Sequence, residues 1–290
     1  MSLLPPKDFR DGFVQTPLGP VHYVSGGGGS PLFLIHGGYG TWAHWYANLL
    51  PLAQAHTVFA IDMPGFGQSC DAPADAGIGS VAQSVWDAID AMRKTLPGPM
   101  QESPIHIAAF SFGTAVAATM ALARQDAVRA LLLINPPGLG EVSQEVKEIQ
   151  ARVSDTARSH GVRAGIEITL RELMLCQPAR TDDRALDLLE ACVRNTRFIS
   201  RSLSRATRLP AILDELRMPV HVVLGARDPH QRHELALRQA RLEKTLGASN
   251  VHLFSDAAHW LQYDQPERFA ALALAVFNDG ATAAKSANAR

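Results

Sequence analysis

The chain has 290 residues, with 27 lysines and arginines against 28 aspartates and glutamates, so its formal net charge is −1. A hydrophobic fraction of 47% and a charged fraction of 19% exclude a mainly disordered protein, and the balanced charge argues against nucleic acid as a partner. The length allows one or two domains with a substantial core.

The cysteines and the apolar segments argue against disulfides, a structural zinc site, secretion and membrane insertion. The cysteines Cys70, Cys176 and Cys192 are too scattered for a disulfide framework or a four-ligand zinc site. The first residues lack the basic and apolar segments of a secretion signal, and the apolar run 269–277 is far shorter than the roughly 20 residues of a membrane helix. We expect a cytoplasmic protein with no membrane partner, and the sequence carries no signal for its oligomeric state.

The predicted elements begin with an antiparallel hairpin, with strands at 12–16 and 21–24. Six continuous apolar runs follow, as expected for strands buried on both faces, at 32–35, 58–61, 105–109, 131–134, 220–224 and 251–254. Helical patterns alternate with them at 42–53, 81–96, 114–123, 234–246 and 266–277. This order predicts an α/β fold, with a mostly parallel eight-stranded sheet and helices on both faces.

One interval breaks this alternation, because the stretch between Ile134 and Val220 is much longer than one crossover helix needs. It has helical patterns at 141–160, 164–176 and 182–209. The sequence therefore predicts a core formed by 1–137 and 211–290, with an inserted helical segment at 138–210.

The sharpest motif is Ala109-Phe110-Ser111-Phe112-Gly113, which lies between a predicted strand and a predicted helix. A serine on such a turn projects its hydroxyl above the sheet, and small residues two positions away on either side let the strand and helix pass closely. This pattern favours Ser111 as a nucleophile. The structural alternative is that Ser111 is a helix N-cap, a role that serine also fills well.

A glycine-rich loop, His36-Gly37-Gly38-Tyr39-Gly40, follows the preceding strand of the core. Such a loop offers unobstructed backbone N–H groups to an oxyanion. We predict the Gly38 and Phe112 amides as this pair, with Tyr39 as the alternative to Gly38. A plain turn is the other interpretation of the loop.

A nucleophilic serine needs a histidine base, and that histidine needs an acid to fix its tautomer. Asp228 and His259 follow the last two predicted strands, and open parallel sheets place their sites at the carboxyl ends of strands. The order Ser111, Asp228, His259 is the order expected on a hydrolase sheet of this kind. These three residues are the predicted catalytic triad.

With these motifs the chain, from about residue 12 to 278, resembles the α/β-hydrolase superfamily. The segment Asp62-Met63-Pro64-Gly65-Phe66-Gly67-Gln68-Ser69 is similar to the family's D-x-P-G-x-G-x-S turn, which implies that Asp62 and Ser69 organise a loop. The resemblance also implies that 138–210 is a cap, or lid, over the active site. Related dehalogenases and epoxide hydrolases have an aspartate where this chain has Ser111.

Within the serine branch, His259-Trp260-Leu261-Gln262 is similar to the H-W-x-Q segment of carbon–carbon bond hydrolases that cleave ring-fission products. Those enzymes usually have a small polar residue where this chain has Phe110, and Gly-Pro-Gly-Ala in the oxyanion loop where it has Tyr39-Gly40-Thr41. The resemblance to this subfamily is thus partial.

Substrate contacts are predicted at Phe110 and Trp260, which adjoin the triad in sequence, and at Tyr39 in the glycine-rich loop. A further candidate is Arg205, one of five arginines whose spacings of three and four residues place them on one helical face if the helix is continuous: Arg194, Arg197, Arg201, Arg205 and Arg208. They could recognise a substrate carboxylate, or form a solvated outer face. The run His230-Gln231-Arg232-His233-Glu234 does not match the spacing of a zinc-protease motif, so no metal site is predicted.

These residues predict a serine hydrolase that cleaves a small, largely apolar acyl substrate, such as a carboxylic ester, through an acyl-enzyme. This chemistry needs no metal and no organic cofactor. A carbon–carbon bond hydrolase acting on a ring-fission diketone acid is one alternative. A non-catalytic ligand-binding protein on the same fold is another.

Overall fold

The computed structural model describes residues 3–74 and 77–287, except for the side chains at 178, 205, 206 and 279–287. Its eight-stranded sheet has the order β1-β2-β4-β3-β5-β6-β7-β8. The strands are β1 Arg10–Thr16, β2 Gly19–Gly27, β3 Ser30–Ile35, β4 His56–Ile61, β5 Ile105–Phe110, β6 Val128–Ile134, β7 Val220–Gly225 and β8 Val251–Phe254. Strand β2 pairs antiparallel with β1 and β4, and every other pairing is parallel. The predicted fold class is confirmed.

The sheet is covered on both faces, as its continuous apolar strands require. In β3, Leu32 and Leu34 belong to one buried cluster, while Phe33 and Ile35 belong to the other. The helices outside the β6–β7 connection are α1 Leu49–Ala53, α2 Ile78–Arg93, α3 Gly98–Gln101, α4 Phe112–Ala123, α10 Leu235–Leu246, α11 Leu261–Asp264 and α12 Pro266–Ala287. The predicted helix at 42–53 begins as a 3-10 helix, Trp42–Asn48, and becomes α-helical only at α1.

The connection between β6 and β7 is helical, as predicted, but more broken than the pattern indicates. It contains α5 Gln144–His160, α6 Val162–Thr169, a π-helix Leu170–Met174, α7 Asp183–Arg194, α8 Arg201–Ala206 and α9 Leu209–Glu215. Helix α9 packs against α4 and α10, so the predicted boundary at 210/211 falls inside a helix that lies on the core.

The single helix predicted at 182–209 is wrong, because the chain leaves the helical conformation between α7 and α8. There Thr196 forms an antiparallel bridge with Phe66, and the Arg197 N–H donates to the Gly65 carbonyl. The Arg197 guanidinium also donates to the Gly67 and Ser69 carbonyls and pairs with Asp71. These tertiary contacts outweigh helix propensity, so the five arginines do not share one helical face.

Among the described residues, no helix combines the length and apolar character needed to cross a lipid bilayer.

Candidate active site

Ser111 occupies a sharp turn between β5 and α4, with φ 49° and ψ −121°. A turn this tight brings the helix against the neighbouring loop, and a Cβ at position 113 would lie 2.4 Å from the His36 carbonyl oxygen. Because that atom is backbone and cannot swing aside, Gly113 is required there. Likewise a Cβ at Gly37 would lie 3.1 Å from the Ser111 Cβ, so the glycine lets the loop 36–40 approach the serine.

Asp228, His259 and Ser111 form a continuous hydrogen-bonded chain. The distance from His259 Nδ1 to Asp228 Oδ2 is 2.7 Å, and His259 Nε2 lies 3.0 Å from Ser111 Oγ. Asp228 is fully buried. Burial by itself favours the neutral acid, but the adjacent His259 and hydrogen bonds from His230 and His259 hold the pKa of Asp228 well below its usual value. The carboxylate is therefore ionised and acts as an acceptor only.

The backbone around the serine offers free donors. The Phe112 amide opens α4, where helical N–H groups lack an intrahelical acceptor, and Gly38 lies beside it. A Cβ at Gly38 would be 3.7 Å from the Phe112 Cβ. Within the described part of the chain, neither amide has a hydrogen-bond acceptor. Both are therefore available to a ligand oxygen.

Two buried side chains hold the loops that carry Asp228 and His259. Asn135, directly after β6, donates from Nδ2 to the Ala258 and His259 carbonyls and accepts the Gly225 N–H. Asp264, in α11, accepts the Ala258 N–H at 2.8 Å and also the Cys176 and Gln177 amides of the β6–β7 connection. Neither residue is among the predicted site residues, although Asn135 directly follows the end of a strand, the kind of position that identifies Asp228.

A cavity of about 330 Å³ opens above Ser111. Its floor includes Gly38, Tyr39, Ser111, Phe112 and His259. The β6–β7 connection contributes an apolar wall that includes Val142, Val153, Val162, Ile166, Leu173 and Met174. Across the described residues, Arg201 is the one permanently charged residue in the lining. The cavity is therefore suited to a small, largely apolar ligand with room for one anionic group.

Backbone strain concentrates at this cavity. Tyr39 (φ 55°), Ser111 (φ 49°) and Asn135 (φ 44°) are the non-glycine residues with positive φ among those described, and all three line it. Such conformations cost free energy and persist where the surrounding structure enforces them, which is common at functional sites.

Phe110 and Trp260 do not line the cavity, in contrast to the prediction. Phe110 is the last residue of β5 and is fully buried, with its ring against His44 and His259. Trp260 is also fully buried and donates its indole N–H to the His44 carbonyl. Both side chains lie in the core beneath the cavity, where they contact His44, and the Phe110 ring also contacts His259.

The arginines divide among several environments. Arg194 pairs with Glu190 on the same helix, Arg208 is exposed, and Arg197 binds the turn at 65–71. Arg201 lines the cavity, with its guanidinium carbon 5.3 Å from the centre of the Tyr39 ring. The Arg205 side chain lies outside the described residues.

His230 joins the triad, whereas the rest of its motif does not. Asp228, His230 and His259 each have one potential metal-ligand atom, and these atoms lie within 4.8 Å of one another. In the structure these groups already bind each other, since His230 Nδ1 lies 3.1 Å from Asp228 Oδ1. The arrangement is thus accounted for by hydrogen bonds between an ionised carboxylate and two imidazoles.

Residues 32–272 match the protein family described as the Alpha/beta hydrolase family. The chain belongs to this family. It is 25% identical to the 2-hydroxy-6-oxo-6-phenylhexa-2,4-dienoate hydrolase of Comamonas testosteroni over 88% of this chain and 90% of that protein. The Alpha/beta hydrolase assignment, together with such relatives, makes the protein an enzyme that catalyses a hydrolysis.

Solved structures support the same fold. The carboxylesterase CesB of Bacillus subtilis superposes with a TM-score of 0.74 at 19% identity, covering 94% of this chain and 92% of that chain. Naproxen esterase of Bacillus subtilis gives 0.75 at 17% identity, covering 94% and 93%. At these identities the likeness establishes the fold alone.

Proposed function

We propose that this hydrolase cleaves a small, largely apolar acyl substrate, such as a carboxylic ester, through an acyl-enzyme on Ser111. The observation that carries the proposal is the unbroken hydrogen-bonded chain from Asp228 through His259 to Ser111 at the floor of a 330 Å³ cavity. Because Asp228 is ionised, His259 carries its proton on Nδ1 and presents an acceptor at Nε2 to the serine hydroxyl.

The proposed cycle begins when Ser111 Oγ attacks the substrate carbonyl carbon and His259 Nε2 takes the hydroxyl proton. The Gly38 and Phe112 amides receive the oxyanion, each such donor contributing about 3 to 4 kcal/mol in comparable sites. His259 then protonates the leaving oxygen, and the alcohol departs. Water attacks the acyl-enzyme with His259 again as the base, which releases the acid and restores Ser111.

We also propose that 138–210 forms a cap over this site. Its apolar residues line the cavity, and the His259 and Trp260 amides donate to the Leu173 and Met174 carbonyls. The cap thereby contacts the loop that carries the base. An apolar wall beside the serine lowers the local polarity, which strengthens electrostatic stabilisation of the oxyanion.

The test is a panel of p-nitrophenyl esters of increasing acyl length, with a fluorophosphonate probe. We expect the highest kcat/KM at acetate and butyrate and a steep fall at dodecanoate, because the cavity has the volume of a small ligand site. The probe should label Ser111. Absence of both turnover and labelling would overturn the proposal.

A second candidate, a carbon–carbon bond hydrolase acting on a ring-fission diketone acid, is favoured by the position of Arg201. The Comamonas relative is named for a phenylhexadienoate, and Arg201 supplies a cation in an otherwise apolar lining. Turnover of a ring-fission dienoate at a higher kcat/KM than p-nitrophenyl butyrate would select this candidate.

We expect Arg201→Gln to raise KM about tenfold for substrates that carry a carboxylate, since a charge-assisted hydrogen bond is lost at a partly exposed site. The KM of neutral esters should not change. The matched control is Arg208→Gln, because Arg208 is exposed and does not line the cavity. An equal rise in KM for acidic and neutral substrates would exclude carboxylate recognition by Arg201.

A further inference from the structure

His230 lies two residues after Asp228 and makes a contact with it that the triad does not require. Its backbone N–H donates to Asp228 Oδ1 at 2.8 Å, and its ring Nδ1 lies 3.1 Å from the same oxygen. His259 binds the other oxygen, Oδ2, at 2.7 Å. The two imidazole rings pack together with centroids 4.5 Å apart. One carboxylate thus serves two histidines, one on each oxygen.

The ionised Asp228 carboxylate determines where the hydrogens of His230 and His259 lie. Asp228 is ionised and cannot donate, so both Nδ1 atoms carry the hydrogen. Burial is the main cause that lowers the pKa of His230 below its usual value, and the neighbouring His259 lowers it further, so the ring is neutral. Its Nε2 is consequently an acceptor on a residue that lines the cavity.

The backbone at His230 is also held by hydrogen bonds. Arg238 is buried, and its guanidinium donates to the His230 carbonyl oxygen and to Gln231 Oε1. Gln231 in turn donates to the Pro136 carbonyl, next to Asn135. Glu234 pairs with Arg238 at 3.1 Å and offsets its charge. This network holds the backbone at 230 and 231, while the His230 ring is held by Asp228 Oδ1 and by its packing against His259.

We propose that His230 is a positioning residue of the triad, a second imidazole that holds the Asp228 carboxylate so that Oδ2 points at His259 Nδ1. Without it, Oδ1 keeps the backbone donor but loses the side-chain N–H that sets the plane of the carboxylate. The carboxylate then aligns less well with the imidazolium that forms as Ser111 gives up its proton. This inference rests on the proposed serine mechanism.

The experiment compares His230→Phe with His230→Asn. Phenylalanine keeps a ring against His259 but has no N–H, whereas the asparagine Nδ2 occupies nearly the position of the histidine Nδ1. For p-nitrophenyl butyrate we expect kcat to fall about tenfold in His230→Phe, the effect of losing one hydrogen bond to a charged group, with KM nearly unchanged. His230→Asn should recover most of the loss. His160→Asn, at an exposed position of α5, is the matched control.

A second readout does not depend on turnover. Imidazole N–H protons bonded to a carboxylate give downfield proton NMR signals. His22 Nδ1, which lies 2.8 Å from Asp62 Oδ2, adds one such proton to those of His259 and His230. We therefore expect three signals in the wild type and two in His230→Phe. An unchanged kcat in folded His230→Phe, or the same kcat in both variants, would overturn the inference. Wild-type protein without Ser111-dependent turnover would refute the proposed function instead. The same number of downfield signals in the wild type and in His230→Phe would refute the hydrogen bond from His230 itself.

Discussion

We expect Ser111→Ala to lower kcat for p-nitrophenyl butyrate by about a million-fold, the size of loss seen when the nucleophile of a serine hydrolase is removed. In the proposed mechanism the Ser111 hydroxyl oxygen forms the acyl-enzyme, and the serine hydroxyl is the group that His259 deprotonates for the attack. What rate persists comes from the cavity and the Gly38 and Phe112 amides, which still bind the carbonyl of the substrate. The measurement is steady-state hydrolysis at substrate concentrations above KM.

The variant should stay folded, so that the loss is chemical. Alanine adds no atom to the tight turn at 111, and its positive φ is as strained for alanine as for serine. Thermal unfolding checks this expectation, and Ser159→Ala, at an exposed position, is the control. Retention of wild-type kcat in Ser111→Ala would eliminate the proposed mechanism.

A double substitution tests whether Ser111 and His259 act together. If they form one catalytic unit, Ser111→Ala combined with His259→Ala should be no slower than Ser111→Ala alone, because the base has no function without its nucleophile. A further multiplicative loss would indicate that His259 acts independently on the substrate.

The sheet, and the meeting of Ser111, Asp228 and His259 at its edge, were predictable because short local patterns encode both. Continuous apolar runs identify strands buried on two faces, and Asp228 and His259 lie in the loops that follow two such strands. Ser111 lies in a turn whose small neighbours the sequence displays. These features depend on residue type and position along the chain, with little contribution from distant contacts.

The cavity wall was less predictable because its geometry depends on contacts between distant segments. The pattern at 182–209 is helical, but Arg197 and Thr196 bind the turn at 65–71 and break the helix. As a result Arg201, not a continuous face of arginines, reaches the cavity. Phe110 and Trp260 adjoin the triad in sequence, yet their side chains pack beneath it. Proximity along the chain does not give the direction of a side chain.

The second large effect that we expect is a loss of stability in mild acid, which originates in buried neutral histidines. His36 and His106 are both buried, and burial lowers the pKa of each from 6.5 to about 4. His36 shows the physical reason most clearly. Its Nδ1 donates to the Gly37 carbonyl and its Nε2 accepts the Met63 amide, so an added proton on Nε2 would face an N–H group.

The direction follows from proton binding. Between pH 6.5 and about 4 the unfolded chain binds protons at these histidines and the folded protein does not, so protons favour unfolding. The stabilisation is complete above pH 6.5 and is lost as the pH falls toward 4. Over that pH range each histidine lowers the free energy of unfolding by about 3 kcal/mol, at about 1.36 kcal/mol per pKa unit. The pKa of Asp228 is also lowered, but a carboxylate loses its contribution only below its ordinary pKa of 3.8, outside this window.

Urea unfolding at pH 7.5, 6.0, 5.0 and 4.5 measures the effect as a falling free energy of unfolding. In His106→Gln the free energy of unfolding should fall less steeply with decreasing pH, by the contribution of one histidine, because the glutamine amide does not titrate. His160→Gln, at an exposed position, should leave the pH dependence unchanged. A free energy that is constant from pH 6.5 to 5 would contradict the assignment. Since unfolding at equilibrium carries only about 5 to 15 kcal/mol, two such histidines are enough to make the protein acid-labile while the triad itself is still intact.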